Sequence, residues 1–370
     1  MFSHTHFQKA LQERQLNGNL RTLKPQEEGI DFYSNDYLGL AGNKDFQNIL
    51  MKMTTEDPGL LTGSTGSRLI SGNSRIVEET EMFIAQEHHY GSALVFPSGY
   101  HANLALFSTL PTRHDTVIVD EQIHRSVHDA CKLSNAKKLK FRHNDCDHLE
   151  HILKRQPGTC YIAIESLYSM DGDMAPVKEI AGIAGRCNAG LIVDEAHAFG
   201  VFGHGLVDRN QLQDQVLATV ITYGKAMGTH GAAVLTNTLV KSYLVNFASP
   251  FIYTTAAHDF LWMSIRKGYD FLKANQELSD RLQQKIRLFR DTPLAGPSAA
   301  CSPIQAIMVP DNKRLKALNK SLLKNGFLTY AVFSPTVKEG TERLRICLHS
   351  FNANDEIRGL AGMIKELIEV

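Results

Sequence analysis

Short β-branched apolar runs alternate with helix-patterned segments through the middle of this chain, and that alternation restricts the folds open to it. Residues 92–96, 116–119, 139–141, 161–164, 191–193 and 216–222 read as strands, with 232–235 as a further one. Between them, 100–110, 124–133, 147–154 and 176–187 carry helical spacing. Parallel neighbours need a crossover, usually a helix, and helices on both faces leave the strands continuously apolar. The expected fold is α/β: a mostly parallel central sheet with helices on both faces. Ligands in such sheets bind beyond the carboxyl ends of the strands. The residues that follow each run are therefore the first place to look for chemistry.

The flanks read differently. Residues 1–30 suggest a polar helix and an irregular linker, and 32–40 a short strand and a turn. Gly, Ser and Thr crowd 63–74, as in a loop, and 76–90 has helical spacing. Residues 257–290 read as long helix without a strand, and 303–370 as strand–helix–strand–strand–helix, a smaller α+β unit. The expected division is an arm over 1–45, a large domain over 46–255, and a small C-terminal domain over 256–370 that includes the connecting helix.

Bulk composition removes several classes of function. Lys+Arg and Asp+Glu balance at 39 each in 370 residues, so charge gives no reason to expect nucleic acid or an anionic membrane as partner. No apolar run approaches the ~18 residues of a membrane helix. The opening Met1-Phe2-Ser3-His4 stretch shows no basic segment followed by an apolar one, so a cytoplasmic protein is expected. The six cysteines, at 131, 146, 160, 187, 301 and 347, form no Cys-x-x-Cys pair and read as reduced thiols.

Two strand ends carry ionisable groups. Leu191-Ile192-Val193 runs into Asp194-Glu195-Ala196-His197, and a later run leads through Thr222-Tyr223-Gly224 to Lys225. A lysine can hold an aldehyde as a Schiff base, and an aspartate can keep a proton on a pyridine nitrogen. Together, in this order, they are what pyridoxal phosphate (PLP) chemistry requires. Taken singly, Asp194 reads as a helix cap and Lys225 as a surface lysine. Asp-Glu-Ala-His also occurs in helicases, but the phosphate loop they need is missing from this sequence. Pro97-Ser98-Gly99-Tyr100 stands where a strand meets a helix, so free backbone N–H groups there suit a phosphate. His124 and His128 have metal-like spacing but no third ligand. His88-His89 reads as a polar helix end. Of Arg343 and Arg345, one is expected to point into a site and the other toward solvent or a partner.

Eight ordered stretches extend this reading across nearly the whole chain. They are Ser34-Asn35-Asp36-Tyr37-Leu38-Gly39-Leu40, Gly63 to Gly72, Pro97 to Tyr100, Ser169-Met170-Asp171-Gly172-Asp173, Asp194 to His197, Thr222 to Lys225, Ile252-Tyr253-Thr254-Thr255 and Arg343-Leu344-Arg345. In them the chain resembles the α-oxoamine synthases, PLP enzymes of fold type I. The resemblance implies that Lys225 is the Schiff-base lysine and the base for the α-proton. It implies that Asp194 pairs with the pyridinium nitrogen, His197 bonds the ring hydroxyl oxygen, His124 stacks on the ring, and Ser169 lies by the same ring edge as His197. Gly99, Tyr100 and Thr222 would hold the phosphate, helped by Thr254 or Thr255 of a second subunit in a homodimer with a shared site. Asn35 and Arg345 would grip the substrate carboxylate.

The implied reaction is a decarboxylative condensation of an amino acid with an acyl thioester. Ser334-Pro335-Thr336-Val337 and Ser302-Pro303-Ile304-Gln305 favour the biotin-pathway branch, which joins L-alanine to a pimeloyl thioester on CoA or acyl carrier protein. The alternatives are a glycine C-acetyltransferase or serine palmitoyltransferase type of activity, and a non-catalytic PLP-binding regulatory domain. Against the last, only about 30 residues precede the Ser34 motif, and they are not strongly basic. Two stretches depart from the family pattern. His349-Ser350-Phe351-Asn352 stands where Ala-Ala-His is usual, which bears on acyl-chain binding. Phe199 stands where a small residue is usual.

Overall fold

The computed structural model describes residues 3–16, 20–23, 25, 27–294, 296–334 and 336–369. Its centre is a seven-stranded sheet built from β1 (Ser92–Phe96), β2 (Thr116–Asp120), β3 (Lys137–Phe141), β4 (Cys160–Glu165), β5 (Gly190–Asp194), β6 (Ala218–Thr222) and β7 (Ala232–Thr236). The spatial order is β1-β7-β6-β5-β4-β2-β3, and only β7 runs antiparallel to its neighbours. All five residues of β2, β6 and β7 are buried, as the continuous apolar runs require for a sheet covered on both faces. One apolar cluster beneath the sheet gathers Leu94, Val117, Val119, Ile192 and Val220. Another, on the opposite side, gathers Ile118, Ile162, Ile164, Leu191 and Val193. The period of two in a strand places these neighbours on opposite faces.

A second sheet of three antiparallel strands follows in the C-terminal part: β8 (Ile304–Met308), β9 (Tyr330–Val332) and β10 (Arg343–Cys347), with β10 in the middle. Helices Asn312–Lys324 and Asn354–Glu369 accompany it. The expected strand over 32–40 is instead a two-residue pairing, Ile30–Asp31 with Phe327–Leu328, followed by bends and turns. Asp31 explains the turn, since its Oδ1 accepts from both Tyr33 and Ser34 N–H and competes with any ladder. The long helix over 257–290 is two helices, Asp259–Ala274 and Glu277–Arg290. Asn275 turns its amide onto Phe271 O and ends the first, and Glu277 and Asp280 favour a new start. Among the described residues, no helix is long and apolar enough to cross a membrane.

The Gly63 to Gly72 loop packs on the 252–258 segment. Ser64 Oγ donates to Ala256 O at 2.8 Å, and Ala256 N donates to Gly66 O at 2.9 Å. A side chain at Gly72 would stand 2.5 Å from Gly66 O and 2.6 Å from Ala256 Cβ, so this close approach admits only glycine. Arg68 pairs with the buried Glu81, which also takes Lys241 at 2.8 Å and Val95 N at 3.0 Å.

Candidate active site

Adjacent parallel strands bring the two predicted groups together. β5 ends at Asp194, and β6 ends three residues before Lys225. Both line a cavity of about 360 Å³ at the carboxyl ends of the strands, with Asn35, Gly99, Tyr100, His124, His197 and Thr222. Eight of the twelve site residues expected from the sequence thus share one hollow. Arg345 and Ser169 stand behind its wall. Thr254 and Thr255 lie apart, in a hollow with Pro97, Pro250 and Phe251.

Asp194 is buried and oriented by two donors. Asn103 Nδ2 reaches its Oδ2 at 2.7 Å, and Ala196 N reaches Oδ1 at 2.9 Å. Lys225 faces this carboxylate from the next strand. Burial pushes the Lys225 amine down to about 8, against the pull of Asp194 and Glu165 and with the help of Arg345. Glu165 ends β4 directly beside Asp194. Burial first, and then the neighbouring Asp194 charge, push its carboxyl up to about 8. Its Oε1 has no partner among the described residues.

Arg345 reaches the cavity through other side chains. It donates to Ser169 O at 2.6 Å and to Asn35 Oδ1 at 2.9 Å. Tyr37 Oη donates to the same Asn35 oxygen at 3.0 Å and lies 2.8 Å from His197 Nδ1. Arg343 does not turn away from this region, contrary to expectation. It pairs with Asp171, two residues beyond Ser169, and is as buried as Arg345. Residues two apart on a strand share a face, so both arginines grip the 169–171 loop.

His124 caps the helix Arg125–Leu133, where its Nδ1 accepts from Ser126 N at 3.3 Å. Burial, opposed by Asp194 and assisted by Lys225, lowers its pKa. Gly99 opens the helix Gly99–Thr109 behind Ser98, whose Oγ takes His101 N. The first N–H groups of that helix, on Gly99 and Tyr100, have no intrahelical acceptor, and both residues line the cavity. A side chain at Gly99 would stand 2.6 Å from Thr222 Cγ2, so glycine keeps this corner open. Thr222 Oγ1 donates to Ala196 O at 3.2 Å and keeps its lone pairs as acceptors.

Sequence reasoning missed Glu165, Asn103 and Tyr37 as site residues. Glu165 had a signal: a carboxylate at a strand end, like Asp194, one residue past the run read as 161–164. The stretch His349 to Asn352 is structural and not part of the cavity lining. His349 lies within hydrogen-bond reach of Ser34 Oγ and of the carbonyls of Ser34 and Asp31. Ser350 Oγ donates to Leu38 O at 2.8 Å, and Phe351 stacks on His349 at 4.7 Å. These bonds dock the Asn35–Tyr37 corner onto β10. Phe199 packs edge-on against Tyr223 at 5.6 Å, where a small residue would leave a void.

The 168–174 loop has a second anchor in His143. Its Nδ1 meets the fully buried Asp120 at 2.8 Å, and its Nε2 meets Asp173 at 2.7 Å. Burial opposes the charge, but the two carboxylates outweigh it and push the imidazole to about 9. Folding thus raises this pKa from an ordinary 6.5. The resulting stabilisation is complete below pH 6.5 and disappears as pH rises through about 9. Allowing for solvent at the partly exposed ring, it is worth about 2 kcal/mol. Urea unfolding at pH values on either side of this window should show that loss in the wild type and no matching slope in His143→Gln. An equal slope in both proteins would refute the assignment.

The residues present fit PLP. A carboxylate, an amine, free helix N–H groups and an unpartnered Glu165 oxygen converge on one hollow, which matches a ring nitrogen, an aldehyde and a phosphate. The chain matches the family model "Aminotransferase class I and II" over residues 27–360. It is 37% identical over 360 residues to an 8-amino-7-oxononanoate synthase of Emericella nidulans, covering 90% of this chain and 87% of that one. A Chromobacterium violaceum protein of the same name is 36% identical over 342 residues, with the same coverage. Among solved structures, serine palmitoyltransferase from S. paucimobilis with bound PLP superposes with a TM-score of 0.89 at 25% identity, over 100% of this chain and 99% of that one. The 8-amino-7-oxononanoate synthase of Francisella tularensis gives 0.77 at 29% identity, over 92% and 98%. With a family model matched over nine-tenths of its length and relatives at 36–37% identity, the chain belongs to the class I and II aminotransferase family and, within it, to the PLP-dependent acyltransferases called α-oxoamine synthases.

Proposed function

We propose that this enzyme condenses L-alanine with a pimeloyl thioester, carried on CoA or acyl carrier protein, to give 8-amino-7-oxononanoate, CO2 and the free thiol. The observation that carries the choice is sequence identity: relatives of that name reach 37% over 90% of the chain, and among solved structures the synthase of that name is 29% identical against 25% for the serine palmitoyltransferase. The polar loop between β9 and β10 supports it. Thr336, Lys338 and Glu339 are exposed there, and a dicarboxylic acyl chain needs a polar environment for its far end, since a buried unpaired carboxylate costs several kcal/mol. Pro335, part of the motif that favours this branch, lies outside the described residues.

When bound, PLP supplies an aldehyde that takes up amines and a ring that accepts electrons from a carbanion. The chain's own groups do the rest. Lys225 Nζ removes the amino acid's α-proton, and its lowered pKa keeps a useful fraction neutral near pH 7. Asp194, aimed by Asn103, would keep a proton on the ring nitrogen. In this reading His124 would pack on the cofactor ring, and His197, with Ser169 behind it, would serve its hydroxyl group. Gly99 and Tyr100 N–H groups and Thr222 would hold the phosphate. Asn35 would hold the substrate carboxylate, with Arg345 behind it at 2.9 Å supplying the positive charge. In a homodimer, Thr254 or Thr255 would complete the neighbour's phosphate site. The arm, large domain and small domain divide at about 45 and 255 in this reading.

Free-thiol release measured over a matrix of amino acids and acyl-CoA esters tests the proposal. L-alanine with pimeloyl-CoA should exceed glycine with acetyl-CoA and serine with palmitoyl-CoA by at least about 100-fold in kcat/KM. The gene should also rescue a biotin auxotroph lacking this step. Faster release from another pair, without rescue, would move the enzyme to a sister activity.

A further inference from the structure

Hydrogen bonds around His197 have only one consistent direction. Arg345 carries donors and no acceptor, so the Asn35 atom it meets at 2.9 Å is the amide oxygen. Tyr37 Oη donates to that same oxygen at 3.0 Å. A phenol has a single proton, so Tyr37 has none left for His197 Nδ1, 2.8 Å away. At that contact the tyrosine oxygen accepts and Nδ1–H donates. His197 is buried, and burial, reinforced by Lys225, Arg345 and His124, pushes its pKa well below the ordinary range. The ring is therefore neutral and holds one proton, and the position of that proton decides what it offers the cavity.

We propose that Tyr37 is a positioning residue that fixes His197 as the Nδ1–H tautomer, so that Nε2 presents an acceptor and not a donor. The chain of command runs from Arg345 through Asn35 and Tyr37 to His197, across residues 310 and then 160 apart in sequence. Every link is a buried or half-buried side chain, and Asn35 and His197 line the cavity. Tyr37 itself is fully buried and does not line the cavity, so it acts through His197. Resting on the reading that places His197 at the ring hydroxyl, this direction of bonding means that the hydroxyl keeps its proton and donates it to Nε2. The same relay would give the carboxylate-binding arginine a voice in the electronics of the ring.

The test uses full-length protein labelled with 15N-histidine, recorded by NMR before and after PLP loading, with His197 assigned by the loss of its signals in His197→Asn. Wild type should show a protonated Nδ1 and a pyridine-like Nε2 in the unloaded chain. Tyr37→Phe removes the acceptor for Nδ1–H and should transfer the proton to Nε2 in about half or more of the molecules. Asn35→Ala keeps Tyr37 but frees its proton to turn toward Nδ1, and should give the same exchange from a distance. A role for Tyr37 in packing alone would leave the tautomer unmoved in Asn35→Ala. That result, or an Nε2–H tautomer in the wild type, overturns the proposal. After loading, the pH midpoint of the visible absorption band should fall by about one unit in both variants, because an Nε2–H donor favours the ionised hydroxyl. Tautomer exchange without that fall would uphold the assignment and remove the ring hydroxyl as the partner of His197.

Discussion

Lys225→Ala is expected to lower turnover by about 10⁴-fold or more, with the fold intact. In the proposed reaction the side chain serves twice, as covalent anchor for the aldehyde and as base for the α-proton, and alanine supplies neither. The structure gives the base its strength. An ordinary lysine near 10.5 would be almost wholly charged at pH 7, whereas burial brings Lys225 to about 8. About a tenth of the amine is then neutral at pH 7. Activity limited by this step should accordingly rise as pH increases through about 8. Removing the amine ends its desolvation cost but also takes the nearby cation from Asp194 and Glu165, so the two effects offset and the protein should still unfold cooperatively. Borohydride reduction of the wild type followed by peptide mass spectrometry should find the pyridoxyl group on Lys225. An adduct on another lysine, or a Lys225→Ala enzyme with more than a small residue of activity, would end the assignment.

Asp194→Ala should cost about 10²- to 10⁴-fold in kcat, the range for loss of one preorganised electrostatic partner. Its carboxylate lies in a buried corner, aimed by Asn103 at 2.7 Å and by the Ala196 amide at 2.9 Å. A fixed negative charge there costs no reorganisation when the ring nitrogen must hold a proton. Asp194→Asn is the sharper variant, because it nearly preserves shape and removes only the charge. Both should lose similar amounts of turnover. The alanine variant should also lose about 1–3 kcal/mol of stability, since Asn103 Nδ2 is left with a weaker set of acceptors. Near-normal turnover in Asp194→Asn would show that Glu165, one strand away, takes over the role.

Much of this site was readable in sequence because its residues follow local rules. Asp194 and Lys225 stand just past apolar runs, and strand ends in a parallel sheet face the ligand whatever else the protein does. Gly99 could be read because a small residue between strand and helix exposes N–H groups. His124 and His197 came through family resemblance and not from spacing. Arg343 and Arg345 were read wrongly as facing apart, although a strand's period of two puts them on one face. The break at Asn275 was hidden inside a helical pattern that apolar spacing alone could not interrupt.

By itself, then, the sequence determined the alternation of strands and helices, the parallel character of the sheet and the strand-end placement of Asp194 and Lys225. All three depend on contacts within a few residues or on a period that repeats. The tertiary structure alone decided what surrounds those groups. Glu165 joins the cavity lining because β4 pairs with β5 and sets its carboxyl beside Asp194. Tyr37 and Asn35 reached His197 and Arg345 because His349 and Ser350 dock their segment onto β10. The raised pKa of His143 needs Asp120 and Asp173 on either side of it. The lowered pKa of Lys225 needs the burial that only a closed cavity wall provides. Such effects depend on distance in space, and no pattern along a chain encodes which residues 310 positions apart will meet.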